Sequence, residues 1–214
     1  MLFPKSTEFN KRIPKQKFYE NLDITPALRK AFTEQIQSVY WSNKLSPTTI
    51  SIAAGQSITE IEVFTVTLNT PEPDEALLRQ IDRQIPYHIL FVLIYGEQYK
   101  LAAAHKQATE SGNAAFKVNR YFYTPWQCVD KLSLSISGLD LDAVWENLIV
   151  QVGGITIEQG NTLDQQIVAD EKRAKLLKEI ARLEKLARAE KQPKKKFELV
   201  QQINKLKRLH NESD

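Results

Sequence analysis

Glu60 and Glu62 stand two residues apart in a segment that reads as a strand, so their carboxylates share one face. Such a pair could hold a metal ion. A metal-dependent nuclease also needs acid-x-Lys on a neighbouring strand, so that two carboxylates bind the metal and the lysine sits beside the attacking water. The nearest match, Glu97-Gln98-Tyr99-Lys100, has the wrong spacing and falls in a turn, and Leu101 to Lys106 offers no acid. His88 and His105 lie beside strand ends with no Cys, His or Asp at ligand spacing, which fits structural histidines better than ligands or bases. Gly153-Gly154 lacks the Lys-Ser/Thr of a phosphate loop, and no GxGxxG is present. These residues call for no catalytic set, no metal and no cofactor, with a nuclease-like or degenerate nuclease domain as the second alternative to a binding role.

Charge gives a stronger signal. Lys and Arg number 29 against 26 Asp and Glu, for a net charge of +3. Residues 1–170 hold 15 basic and 19 acidic side chains, residues 171–210 hold 14 and 5, and the last four hold none and 2. A segregated basic element is the electrostatic footprint of a polyanion or an acidic partner. A helix built for solubility alone would mix signs to gain pairs at four-residue spacing. Lys194, Lys195, Lys196, Lys205, Lys207 and Arg208 are therefore the candidates for contact with DNA or RNA phosphates. A second basic group, Lys11, Arg12, Lys15 and Lys17, is interleaved with Phe9, Ile13 and Phe18, and either meets phosphates or straps onto the acidic body. Tyr121, Phe122, Tyr123 and Trp126 are either a platform for unpaired bases or, by alternation, partly core.

The elements that must position these residues follow from periodicity. After an extended basic start, a helix begins at Thr25-Pro26, with Leu28, Phe32, Ile36 and Val39 at helical spacing. Thr48 to Ala54 and Glu60 to Asn69 read as strands, and Asp74-Glu75 opens a short helix with Leu77, Ile81 and Ile85 inside. His88 to Tyr95 is apolar throughout its centre and reads as a central strand covered on both faces. Strands follow at Tyr99 to Lys106, Phe116 to Tyr123 and Leu132 to Ser137, then a helix around Leu139 to Val150. The fold class is α+β, a mainly antiparallel sheet flanked by helices, followed by a C-terminal antiparallel, coiled-coil-like helical hairpin. The expected division is a body at 1–152, a connector at 153–161 and the hairpin at 162–214.

Thr162-Leu163-Asp164-Gln165 has the form of a capping box, and no Gly or Pro follows until Pro193. Leu176, Ile180, Leu183 and Ala187 make one seam, and Leu199, Ile203 and Leu206 a second. Pro193 separates them, so the two helices fold back on each other. Leu176, Ile180, Leu183, Leu199, Ile203 and Leu206 are the candidate partner-binding residues. Seams this short pair within one chain or between two, which leaves a homo-oligomer open.

Composition bounds the rest. A 42% apolar content over 214 residues fits a globular protein. The N-terminus lacks the apolar run of a secretory signal, and no stretch reaches the roughly 20 apolar residues that span a bilayer. Cys128 cannot form an internal disulfide and reads as a small buried hydrophobe, so the expected location is the reducing cytoplasm, away from membranes.

The run Ala187-Arg188-Ala189-Glu190-Lys191-Gln192-Pro193-Lys194-Lys195-Lys196-Phe197-Glu198-Leu199, followed by Ile203-Asn204-Lys205-Leu206-Lys207, resembles the C-terminal signature of an uncharacterised bacterial family, domain of unknown function 4391. Phe3-Pro4-Lys5, Arg12-Ile13-Pro14-Lys15 and Ile85 to Lys106 resemble its body. The resemblance implies association with DNA-modification or phage-defence gene clusters, a helicase or DNA methyltransferase as the protein partner, and no assigned chemistry. Together the two lines describe a non-catalytic accessory protein whose basic hairpin binds a larger protein partner, with nucleic-acid binding through the same hairpin as the alternative.

Overall fold

The computed structural model describes residues 3–22, 24–109 and 115–211. Packing divides the chain into two units, residues 1–155 and 156–214.

The first unit is built on one sheet. Its strands are β1 (Glu8–Ile13), β2 (Ile36–Leu45), β3 (Ile61–Leu68), β4 (His88–Tyr95), β5 (Gln98–Ala108) and β6 (Phe116–Tyr123), in that spatial order, with the short β7 (Gln127–Cys128) also paired to β5. All pairings are antiparallel except β3 with β4, which are parallel and joined through helix α3 (Glu75–Gln84) once α1 (Lys15–Asn21) and α2 (Pro26–Gln35) have been placed. A parallel pair needs such a crossover, whereas β4 and β5 need only the turn at Gly96-Glu97, where Gly96 takes the left-handed φ of 56°.

Phe18, Phe32, Leu77, Leu78 and Ile81 from α1, α2 and α3 bury one face of the sheet against Phe64, Phe91, Leu93 and Ala102. Helix α4 (Leu141–Gly153) packs on β5 and β6 through a stripe that includes Val144, Trp145, Leu148 and Val152. Six consecutive residues of β4, His88 to Leu93, are buried, as expected of a strand covered on both faces.

Asp142, in the first turn of α4, fastens a loop rather than a helix end. Its carboxylate accepts from the backbone N–H groups of Gln56 (2.8 Å), Ser57 (3.2 Å) and Ile58 (2.7 Å). Gly55 permits this approach, since a Cβ there would lie 2.3 Å from the Asp142 carboxyl carbon. Asp142→Ala strands three donors at once and is expected to cost about 1–3 kcal/mol in chemical denaturation.

Four expected elements differ. The first helix stops at Gln35, and Ile36 and Val39 belong to β2. Thr48 to Ala54 is a turn-rich loop with a single bridge at Ala53, because Ser and Thr hydroxyls take the backbone's hydrogen bonds: Thr49 Oγ1 donates to the Lys44 carbonyl (2.8 Å) and accepts from Ser46 N–H (2.9 Å). Leu132 to Ser137 is extended without a strand partner, since the Gln151 side chain donates to the Ser135 carbonyl (2.9 Å) and accepts from its N–H (2.8 Å). The basic start is likewise not extended throughout, as α1 begins directly after Pro14 and buries Phe18.

In the second unit, α5 (Leu163–Ala189) starts with the expected capping box, with Thr162 Oγ1 accepting from Gln165 N–H and Gln165 Oε1 from Thr162 N–H. Its 27 residues span about 40 Å. Helix α6 (Pro193–Asn211) opens on proline at its first position, where a missing N–H is harmless. The two run back on each other as a C-terminal helical pair, completing an α+β architecture. Among the described residues, no helix is long and apolar enough to cross a membrane.

Candidate functional site

The hairpin seam closes on itself. Ile180, Leu183, Ala187 and Ile203 form a buried cluster, with Leu176, Leu199 and Leu206 packed against it. The six apolar residues proposed from sequence to bind a partner are thus brought together between α5 and α6. On the outer surface, Phe197 is 62% exposed and Val200 also emerges on α6.

The six candidate cations are all exposed, but they fall into two groups. Lys194, Lys195 and Lys196 occupy the first turn of α6 beside the loop, whereas Lys205, Lys207 and Arg208 begin nine residues later, about 14 Å along the helix. Lys207 reaches Glu184 on α5 (2.7 Å), and Arg182 and Arg188 pair with acids of their own helix. Among the described residues, no ion pair joins Lys194, Lys195, Lys196, Lys205 or Arg208. A helix N-terminus already carries partial positive charge, so three lysines there oppose the dipole. That placement weakens the helix.

In the body, one buried ionisable pair lies outside the residues that sequence reasoning singled out. Asp82 of α3 and Lys106 of β5 are buried with Nζ to Oδ1 at 2.6 Å. Lys106 also donates to the Tyr87 carbonyl (2.7 Å) and lies over the Phe116 ring, while the Tyr121 hydroxyl donates to the second Asp82 oxygen. Burial pushes the Asp82 carboxyl up and the Lys106 ammonium down, and each opposes the other's shift. With every polar atom engaged, this network is structural. A signal existed in the sequence: Asp82 interrupts the apolar stripe of Leu78, Ile81 and Ile85, and Lys106 follows the core residues Ala102 and Ala104 at strand spacing.

His88 packs edge-on against Phe116 and Trp145, each 5.0 Å away between centroids, and burial pulls its imidazole down to about 3, so it is neutral at ordinary pH. Tyr121 and Phe122 are buried, and Tyr123 and Trp126 both face the Lys100 ammonium, at 5.4 and 5.0 Å. Cys128 is exposed, not buried, because it lies in the short β7 pairing only with the end of β5.

Glu60 and Glu62 remain neighbours but differ in surroundings. Glu60 forms an ion pair with Lys44; burial raises its carboxyl, but the adjacent Glu62 carboxyl and the Lys44 ammonium outweigh that and hold it below the ordinary value. Glu62 is 1% exposed, and its carboxyl lies against Glu60 and the Trp41 indole. Burial first, then the neighbouring Glu60, pushes it up to about 9. Among the described residues, no group of three His, Cys, Asp or Glu is placed to hold a metal. Because the unfolded chain releases the Glu62 proton near its ordinary 4.5 and the folded chain near 9, the folded state binds more protons in that window. Stability is full below it and falls as pH rises through it. Glu62→Gln is expected to flatten that fall and to stabilise the chain by roughly 2 kcal/mol at neutral pH, as read from urea midpoints across pH.

The body is an α+β unit in which the described residues assemble no metal-holding acid cluster, and the second unit is a helical pair with a cationic outer surface. The chain belongs to the family described as Domain of unknown function (DUF4391), whose match spans residues 1–209. No curated protein and no solved structure matches it.

Proposed function

We propose that this is an accessory protein whose C-terminal hairpin binds nucleic-acid phosphates, with Lys194, Lys195 and Lys196 at the loop end as the principal contacts and Lys205, Lys207 and Arg208 extending the surface. The observation that carries the reading is the exposed lysine triplet in the first turn of α6, where the helix dipole disfavours cations, no acid shares the turn, and no ion pair among the described residues joins them. The fold gains nothing from that arrangement. An external polyanion does, because lysines beside free helix N–H groups both attract phosphate and release its condensed counterions. The DNA-modification or phage-defence setting implied by the family resemblance would supply such a ligand.

A gel-shift experiment with the full chain and a labelled 20-base-pair duplex at low salt tests the reading. Retardation is expected; free duplex throughout the protein titration would reject it. A second reading, docking of a protein partner such as a helicase or DNA methyltransferase, is favoured by Phe197 and Val200, which place apolar surface on the same basic helix. Capture from the native host separates the two: a protein retained after nuclease treatment supports docking, and one released by nuclease supports a nucleic-acid bridge.

A further inference from the structure

A cavity of about 360 Å³ opens in the first unit where β1 passes through Pro14 into α1. Ile13, Pro14, Trp41, Phe64 and Ile85 give it apolar walls, and Lys11 and Lys17, both exposed, line it as well. Its size lies at the small end of ligand cavities, which run roughly 300–1,000 Å³. Every one of these residues belongs to the first unit, so the site does not depend on the hairpin reading.

The walls offer no slot for a flat ring. Phe9 already lies on Trp41 at 4.2 Å between centroids, Phe64 meets Trp41 at 6.4 Å with the ring planes 52° apart, and Phe64 meets Phe91 edge-on at 6.2 Å. A flexible chain adapts to such walls where a rigid plane does not. The interior also has no polar edge to spare, since Glu62 lies against Glu60 and the Trp41 indole. A polar ligand body would lose its hydration there and recover nothing. Glu62 is neutral at ordinary pH and so sets no negative charge against an anion. The lysines, by contrast, are uncommitted. Lys15 donates to the Thr33 carbonyl (3.2 Å), whereas among the described residues no ion pair joins Lys11 or Lys17, although acids outnumber bases in residues 1–170. Inorganic phosphate would meet these ammonium groups and gain nothing from the walls; a hydrocarbon tail that carries an anion uses both.

We propose that this cavity binds an amphiphilic anion, its single flexible hydrocarbon tail against Ile13, Trp41, Phe64 and Ile85 and its anionic head held by Lys11 and Lys17. A carboxylate and a phosphate monoester present the same chemistry to the two ammonium groups, which act as point charges on flexible stems. Each methylene that enters the cavity tightens binding roughly fourfold until the space is full.

The test is equilibrium dialysis of the full chain against labelled hexanoate, octanoate, decanoate and decyl phosphate, each below the concentration at which it aggregates. Saturable binding that tightens from hexanoate through octanoate to decanoate is expected. Lys11→Gln and Lys17→Gln together should weaken decanoate binding roughly tenfold. Tighter binding of decanoate than of decyl phosphate assigns a carboxylate head and the reverse order a phosphate head, and either order supports the site. Ile13→Trp, which fills the space, should abolish binding; if that variant does not fold, the lysine pair, exposed and outside the core, carries the comparison. Retention of no probe, affinity indifferent to the lysine pair, or equal binding of decyltrimethylammonium would overturn the proposal.

Discussion

Lys106→Met is expected to destabilise the chain by about 3–5 kcal/mol, the largest effect of any single substitution considered. The methionine fills a similar volume, so packing is not the main loss. What is lost is, among the described residues, the only cation within hydrogen-bond reach of the fully buried Asp82, leaving a carboxyl with the Tyr121 hydroxyl. Removing one member of a buried pair is costly because the survivor stays desolvated, while replacing both members is often close to neutral. The double variant Asp82→Asn, Lys106→Met should therefore recover much of the loss. Denaturation of the two variants and the parent side by side distinguishes this from a simple volume effect, for which the double variant would be no better than the single.

The second large effect concerns binding, not folding. Changing Lys194, Lys195 and Lys196 together to Gln should weaken duplex binding by two to three orders of magnitude at about 0.1 M salt, since each lost phosphate contact forfeits roughly 0.9 counterions. Thermal stability should hold or rise slightly, because three cations leave the positive end of α6. A structural role for these lysines predicts the reverse pattern, with melting lowered and binding spared. Anisotropy titration and a thermal melt of the same samples separate the outcomes.

Much of this architecture could be read from residue patterns, and the failures have local physical causes. The hairpin was legible because its seam repeats every three or four residues over two stretches parted by Pro193, and tertiary contacts elsewhere need not be known to see it. β4 was legible because apolar residues at every position require cover on both faces. β2 was hidden by a bulge. The register shift between Ile36 and Ser38 brings Ile36 and Val39, three residues apart, both into the core, which imitates helical spacing. The loop after β2 and the segment before α4 were misread for a different reason, since side chains of Thr49 and Gln151 satisfy backbone groups that strand neighbours would otherwise take.

Sites were less legible than elements. Glu60 and Glu62 share a strand face in the sequence, yet Lys44 on β2 pairs with one and burial raises the proton affinity of the other. That difference depends on a neighbouring strand whose register no local pattern fixed. Asp142 offered a similar difficulty, because its three N–H partners lie about 85 residues upstream. The basic surface needed no such long-range knowledge, as charge segregation is a property of the chain itself.

The most direct measurement is the dependence of duplex affinity on salt for the parent and the lysine-triplet variant. Plotted as logarithms, the parent should give a steep negative slope and the variant one shallower by about 2.7, three contacts at 0.9 each. Equal slopes for the two proteins would contradict a phosphate-binding role for the first turn of α6.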